Sequence, residues 1–116
     1  MDSSLLTIAS TRLEADMDQN NMNQTELAKI AKALSDPTRL SIYEAIAERE
    51  EMYCGELVEK YQLTPGTISH HLKVLADAEL IESRREGQFI YNRAQPETIR
   101  DYSVALAKLA RLGPRR

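Results

Sequence analysis

From Gln24 onward, apolar residues fall three and four apart: Leu27, Ile30, Ala31 and Leu34 form one stripe, the spacing of an amphipathic helix. Ser35-Asp36-Pro37 then ends one helix and starts the next. Asp36 is a good N-cap, and Pro37 at the first helical position gives up no needed hydrogen bond. The second helix is expected to bury Leu40, Tyr43, Ile46 and Ala47 and to run out in the charged stretch Glu48 to Glu51. A third, short helix is predicted over about Gly55 to Tyr61, with Leu57 and Val58 inward. Gln62-Leu63-Thr64-Pro65 punctuates again, and Thr64 can cap a fourth helix that begins at Pro65 and reaches about Ala78. A short helix, a tight turn and a capped second helix make a helix-turn-helix candidate.

After Glu79-Leu80 the period changes from helical to alternating. Ile81, Ser83 and Arg85 alternate with Glu82, Arg84 and Glu86, Glu86-Gly87 supplies a turn, and Gln88 to Asn92 read as the return strand. Pro96 opens a last helix, to about Leu112, with Ile99, Tyr102, Leu106 and Leu109 at a heptad-like spacing. Gly113-Pro114 ends it. The fold class expected is mainly α with a two-stranded β wing. Residues 1–22, rich in Ser, Asn, Asp and Met, read as an N-terminal extension, partly helical or disordered. Residues 23–112 form the folded domain, and 113–116 a basic tail.

At 116 residues the chain is large enough to bury one core without disulfides. Its single cysteine fits a reducing cytoplasm, and its short apolar runs give neither a membrane span nor a secretory signal. The net charge of −3 argues against a tight, sequence-indifferent polyanion binder. The distribution matters more. Residues 1–26 carry −4, residues 64–93 are neutral and residues 94–116 carry +3, so the acid lies in the first half.

At about 100° per residue, the fourth helix divides into two faces. Ile68, Leu72 and Leu75 cluster together and must pack on the domain. Gly66, His70, Lys73 and Asp77 centre the opposite face, with Thr67 and Ser69 on its flanks. Small, hydroxyl, imidazole and ammonium groups near a helix N-terminus suit the major groove of DNA: hydroxyls reach bases or phosphates, His donates, and Lys neutralises phosphate. Gly66 would let the backbone approach closely, and a helix N-terminus favours an anion. The bland alternative is a merely solvated polar face. Arg84, Arg85 and Arg93 at the hairpin tilt the balance, since a wing there would straddle phosphates.

ALSDPTRLSIYEAIAE, followed by ELVEKYQLTPGTISHHLKVLADAELIESRREGQFIYN, resembles the ArsR/SmtB family of winged helix-turn-helix repressors, from about Thr25 to Leu112. The resemblance implies a sequence-specific transcriptional repressor, dimerising through its first and last helices and binding palindromic double-stranded operator DNA. The DNA-binding positions it implies are Thr67, Ser69, His70 and His71, with Lys73 in support, and Arg84, Arg85 and Gln88 in the wing; Thr64 and Gly66 at the helix start complete the DNA-binding positions expected from the residues themselves. His71 lies at the edge of the buried stripe, so a packed histidine and a phosphate contact are both open. The dimer positions are Leu27, Ile30, Leu34, Ile99, Tyr102, Leu106 and Leu109.

Many members of the family sense metals, commonly through cysteines in a Leu-Cys-Val-Cys-Asp-Leu phrase at the start of the third helix. Aligned on Gly55 to Leu57, Cys54 falls on the intervening valine here, and the ligand positions hold Tyr53 and Gly55. The family's second site, on the last helix, would fall on Pro96, Thr98, Leu109 and Leu112, none a zinc ligand. No metal and no cofactor are therefore expected, and the resemblance leaves the effector open. Cys54 is either a half-buried structural residue or a redox thiol at a helix start. No nucleophile–base pair or phosphate-cradling loop points to an enzyme. The rival reading is a winged helix that binds another protein through its acidic first half.

Overall fold

The computed structural model describes residues 22–114. The N-terminal extension, apart from Met22, and the final two arginines of the tail lie outside the described residues. Helix α1 spans Gln24–Leu34, α2 Pro37–Arg49, β1 Glu51–Tyr53, α3 Cys54–Tyr61, α4 Pro65–Asp77, β2 Ile81–Glu86, β3 Phe89–Ala94 and α5 Pro96–Leu109.

Local chemistry accounts for the boundaries. Asn23 Oδ1 accepts from the Glu26 N–H at 2.8 Å to start α1, and Asp36 accepts from the Arg39 N–H at 2.8 Å to start α2, with Pro37 at its first position. Thr64 Oγ1 accepts from the Thr67 N–H at 3.2 Å to start α4. The sharp corner between α3 and α4 is made by Gln62 in the left-handed region, φ 54°.

The core lies where α2, α3 and α4 meet the sheet. Ile42 and Ile46 of α2, Leu57 of α3, Ile68 and Leu75 of α4, and Leu80 are all fully buried. Burying a side chain of this size stabilises by roughly 1.5–3 kcal/mol, so six of them dominate the fold's cohesion.

Three expectations change. The sheet has three strands, not two, in the order β1-β3-β2, all antiparallel. β1 is only three residues long, too short for alternation to reveal, and follows Glu50, whose φ of 68° turns the chain out of α2. Its presence rotates the buried face of α2. Because α2 packs on β1 and β3 as well as on α4, Ile42, Tyr43 and Ile46 point inward, while Leu40 and Ala47 are exposed. In α1, likewise, Ala33 is buried and Ala31 exposed. Lastly, β3 runs from Phe89 to Ala94 rather than Gln88 to Asn92, and α5 stops at Leu109.

Candidate nucleic-acid interface

Helix α4 has the two faces its sequence demands. Ile68, Leu72 and Leu75 are buried, while Thr64, Gly66, Thr67, Ser69, His70 and Lys73 are all exposed. The Thr64 and Thr67 hydroxyls are 2.9 Å apart and bond to one another at the helix start. Ser69, His70 and Lys73 make no side-chain hydrogen bond or ion pair among the described residues, leaving their polar groups to solvent or to a ligand. Gly66 is exposed, and a Cβ built there meets nothing within 4 Å. Among the described residues, no packing constraint requires glycine at that position.

His71 departs from the other positions. It is half-buried, and its Nδ1 lies 3.4 Å from the Arg39 guanidinium. Burial, then the Arg39 and His70 charges, hold its pKa below the ordinary histidine value, with Asp36 pulling the other way. Both open readings of this residue therefore have a shared starting point: a packed histidine with a local polar partner.

The sheet register splits the wing's two central arginines. Arg84 lies opposite Tyr91, and Arg85 opposite Ile90, so the period of two places them on opposite faces. Arg84 is engaged: it pairs with Glu51 of β1 and with Glu86, 3.2 Å away, and its guanidinium sits 5.0 Å from the Tyr91 ring centroid. Its hydrogen bond, reinforced by its charge, depresses the Glu51 carboxyl below the usual carboxylate value. Arg85 is exposed and makes no ion pair among the described residues, and Gln88 is exposed beside the turn at Gly87, φ 61°. Among the described residues of the hairpin, Arg85 and Arg93 are thus exposed without an ion pair, while Arg84 is held by Glu51 and Glu86.

At the start of α3, the Tyr53 ring lies edge-on to Phe89, with centroids 5.4 Å apart, and to Tyr91 at 6.1 Å. That ring crosses Gly55 so closely that a Cβ there would lie 2.7 Å from Tyr53 Cε2. The two positions that resemble the family's thiol ligands are thus filled by an aromatic ring and the glycine that admits it, and they do not fit a metal. Among the described residues, no three His, Cys, Asp or Glu side chains converge as metal ligands. Cys54 is half-buried, with its Sγ 3.6 Å from Asn92 Nδ2.

Asn92 was not singled out from sequence, yet it is the one buried polar side chain among the described residues. From the central strand it accepts from Ser83 Oγ of β2 at 2.7 Å and donates to the Met52 carbonyl of β1 at 3.2 Å. One side chain thereby joins all three strands at the base of the wing. An amide on the inward-facing phase of β3 was the available signal.

The proposed dimer positions are unevenly placed. Ile30 is 3% exposed and belongs to the chain's own core, so its area is already covered in the monomer. Leu34, Ile99 and Tyr102 pack partly against that core, and Leu27 is half-buried. Leu106 and Leu109 are exposed at 42% and 49%, and Leu112 beyond them at 73%. Between α1, the end of α4 and α5 runs a groove of about 640 Å³, bordered by Glu26, Lys29, Asp77 and Glu97. No helix among the described residues is long and apolar enough to cross a membrane.

Comparison with known proteins agrees with this geometry. The pattern of a helix-turn-helix domain family matches residues 34–84. The chain is 38% identical over 72 residues to the transcriptional repressor SdpR of Bacillus subtilis, a match covering 62% of this chain and 79% of that one. It is 42% identical over 66 residues to an arsenical resistance operon repressor of Staphylococcus xylosus, covering 57% of this chain and 62% of the relative. Among solved structures, an ArsR-like transcriptional regulator from Rhodococcus sp. RHA1 superposes with a TM-score of 0.67 at 28% identity, covering 74% of this chain and 80% of the other.

Proposed function

Since the chain belongs to the ArsR/SmtB family of winged helix-turn-helix transcriptional regulators, we propose that it is a homodimeric repressor that reads a palindromic operator through α4 and the wing. The observation that carries this reading is the outer face of α4, where Ser69, His70 and Lys73 are exposed and make no side-chain hydrogen bond or ion pair among the described residues, beside an open Gly66. Polar groups that the fold leaves unused, on a helix held rigidly from its other side, are what base and phosphate contacts require. His70 is assigned to base reading, and Lys73, Arg85 and Gln88 to phosphates; Thr64 and Thr67 order the helix start that faces the backbone.

The exposed Leu106 and Leu109 of α5, together with the half-buried Leu27 and Leu34 of α1, supply the pairing surface. A two-fold axis there would set two α4 helices about one DNA turn apart, ~34 Å. Repression is not metal-responsive, because the resemblance's ligand positions hold Tyr53 and Gly55 and no other donor group replaces them among the described residues.

Fluorescence anisotropy with the DNA upstream of the chain's own gene, against random DNA as competitor, tests this. Operator-selective, salt-sensitive binding by a dimer is expected, unchanged by stoichiometric Zn²⁺, Cd²⁺ or arsenite. Equal affinity for both DNAs, or a monomer in sedimentation at micromolar concentration, would refute the dimeric repressor. Release by submicromolar Zn²⁺ would refute the metal-independent reading.

A further inference from the structure

Arg39 occupies the junction of three elements. Its Nε donates to the Ala33 carbonyl at 2.7 Å and one terminal nitrogen to the Lys32 carbonyl at 3.2 Å, which also accepts from the Ser35 N–H and hydroxyl, so it helps to close the last turn of α1. Its own N–H is taken by Asp36. With the guanidinium plane fixed in this way, the other terminal nitrogen lies 3.4 Å from His71 Nδ1 on α4.

A guanidinium has only donors and keeps its proton throughout the accessible pH range, so this contact requires a lone pair on Nδ1. The histidine proton must then reside on Nε2, which makes no hydrogen bond among the described residues. We propose that Arg39 is a positioning residue for DNA recognition: it fixes His71 as the Nε2–H tautomer, so that α4 presents an uncharged donor beside His70. The inference rests on the reading of α4 as the DNA-facing helix. It also gives α1 a hydrogen-bonded route to the recognition helix, because the side chain that caps the end of α1 is the one that meets His71. The charged and titratable groups facing His71 are Arg39, Asp36 and His70. Of these, Arg39 and His70 oppose a second proton on the ring and Asp36 favours it.

The test joins imidazole ¹⁵N NMR of the free protein to a double-mutant cycle on operator affinity. At neutral pH, His71 should show a bare Nδ1 and a protonated Nε2, and Arg39→Leu should raise the pH at which the ring becomes cationic. Arg39→Leu should weaken operator binding about tenfold when His71 is present. It should cost less than about twofold in a His71→Gln background, where a donor persists without needing Arg39. A parent His71 protonated on Nδ1, or equal losses in the two backgrounds, would overturn the proposal and leave Arg39 as a cap for α1 alone. Should Arg39→Leu not fold, Arg39→Lys keeps the charge but lacks the planar fork and is judged by the same readouts. Complete failure of the parent to bind operator DNA would refute the reading of α4, while the NMR measurement would still decide the Arg39–His71 link.

Discussion

Gly66→Ala adds one methyl group at the second position of α4, where a Cβ meets nothing within 4 Å and no positive φ is required. Glycine in a helix costs roughly 0.5–1 kcal/mol relative to alanine, through the larger backbone entropy of its unfolded state. Near the helix start the lower figure applies, so the variant should be more stable by about 0.5 kcal/mol, or about 2–4 °C in Tm for a domain of this size. DNA affinity should move in the opposite sense. A phosphate backbone drawn against Gly66 would have to retreat from the methyl group, at a cost of about 1 kcal/mol or more, the scale of one impaired contact at such interfaces. Urea melts at fixed protein concentration, with operator anisotropy on the same preparations, measure both quantities. A variant that is stabilised yet binds with parental affinity would show that DNA does not approach Gly66. A destabilised variant would show that the fold itself needs the glycine, against the open space found there.

The two wing arginines should separate cleanly. Arg85→Ala should lower the slope of log affinity against log salt by about 0.9, one phosphate's worth, whereas Arg84→Ala should leave the slope intact and speed amide exchange in β1 and β2; equal slopes for the two would refute the assignment. The Glu51–Arg84 pair adds a pH signature. Because the Glu51 pKa is depressed from 4.5, its stabilisation is full above that value and disappears as pH falls through the lower folded-state value, so acid should loosen the wing in the parent more than in Arg84→Ala. Asn92→Ala leaves the Met52 carbonyl without its buried side-chain donor and the exposed Ser83 hydroxyl to water, and should lower stability by about 1–3 kcal/mol in urea melts; a change within about 0.5 kcal/mol would mean that water or repacking replaces the amide. His70→Ala should cost about 1–3 kcal/mol on operator DNA and little on random DNA, with equal losses on both arguing against base reading.

What could be read directly from the chain was whatever is decided within a turn or two. Asp36-Pro37 and Thr64-Pro65 are local cap chemistry, and the Ile68, Leu72, Leu75 stripe needs only a helical period; all stand in the structure as read. The features that eluded the pattern are set by distant partners. β1 exists because three residues find β3 some forty positions later, and that pairing in turn selects Ile42 over Leu40 as the inner residue of α2. Arg84 and Arg85 are neighbours in sequence and look equivalent until Glu51 claims one of them. Arg39 carries no local sign of its role, because the carbonyls it caps belong to the preceding helix and the imidazole it meets lies 32 residues on.

The Tyr53 ring over Gly55 also constrains the history open to this protein. A cysteine at position 55 would bring a Cβ to 2.7 Å from the ring, and Phe89 and Tyr91 crowd the ring's other sides. A cysteine at position 55 therefore requires the Tyr53 ring to swing away from Phe89 and Tyr91 or to be lost. Tyr53→Cys as a first step removes the ring and opens that room without any such rearrangement. That first step would place a new thiol next to Cys54 while breaking the aromatic contacts at the root of the wing. Sequences of close relatives caught midway should accordingly carry glycine at 55 with a small residue at 53, and not the reverse pairing of a large residue at 55 with tyrosine at 53.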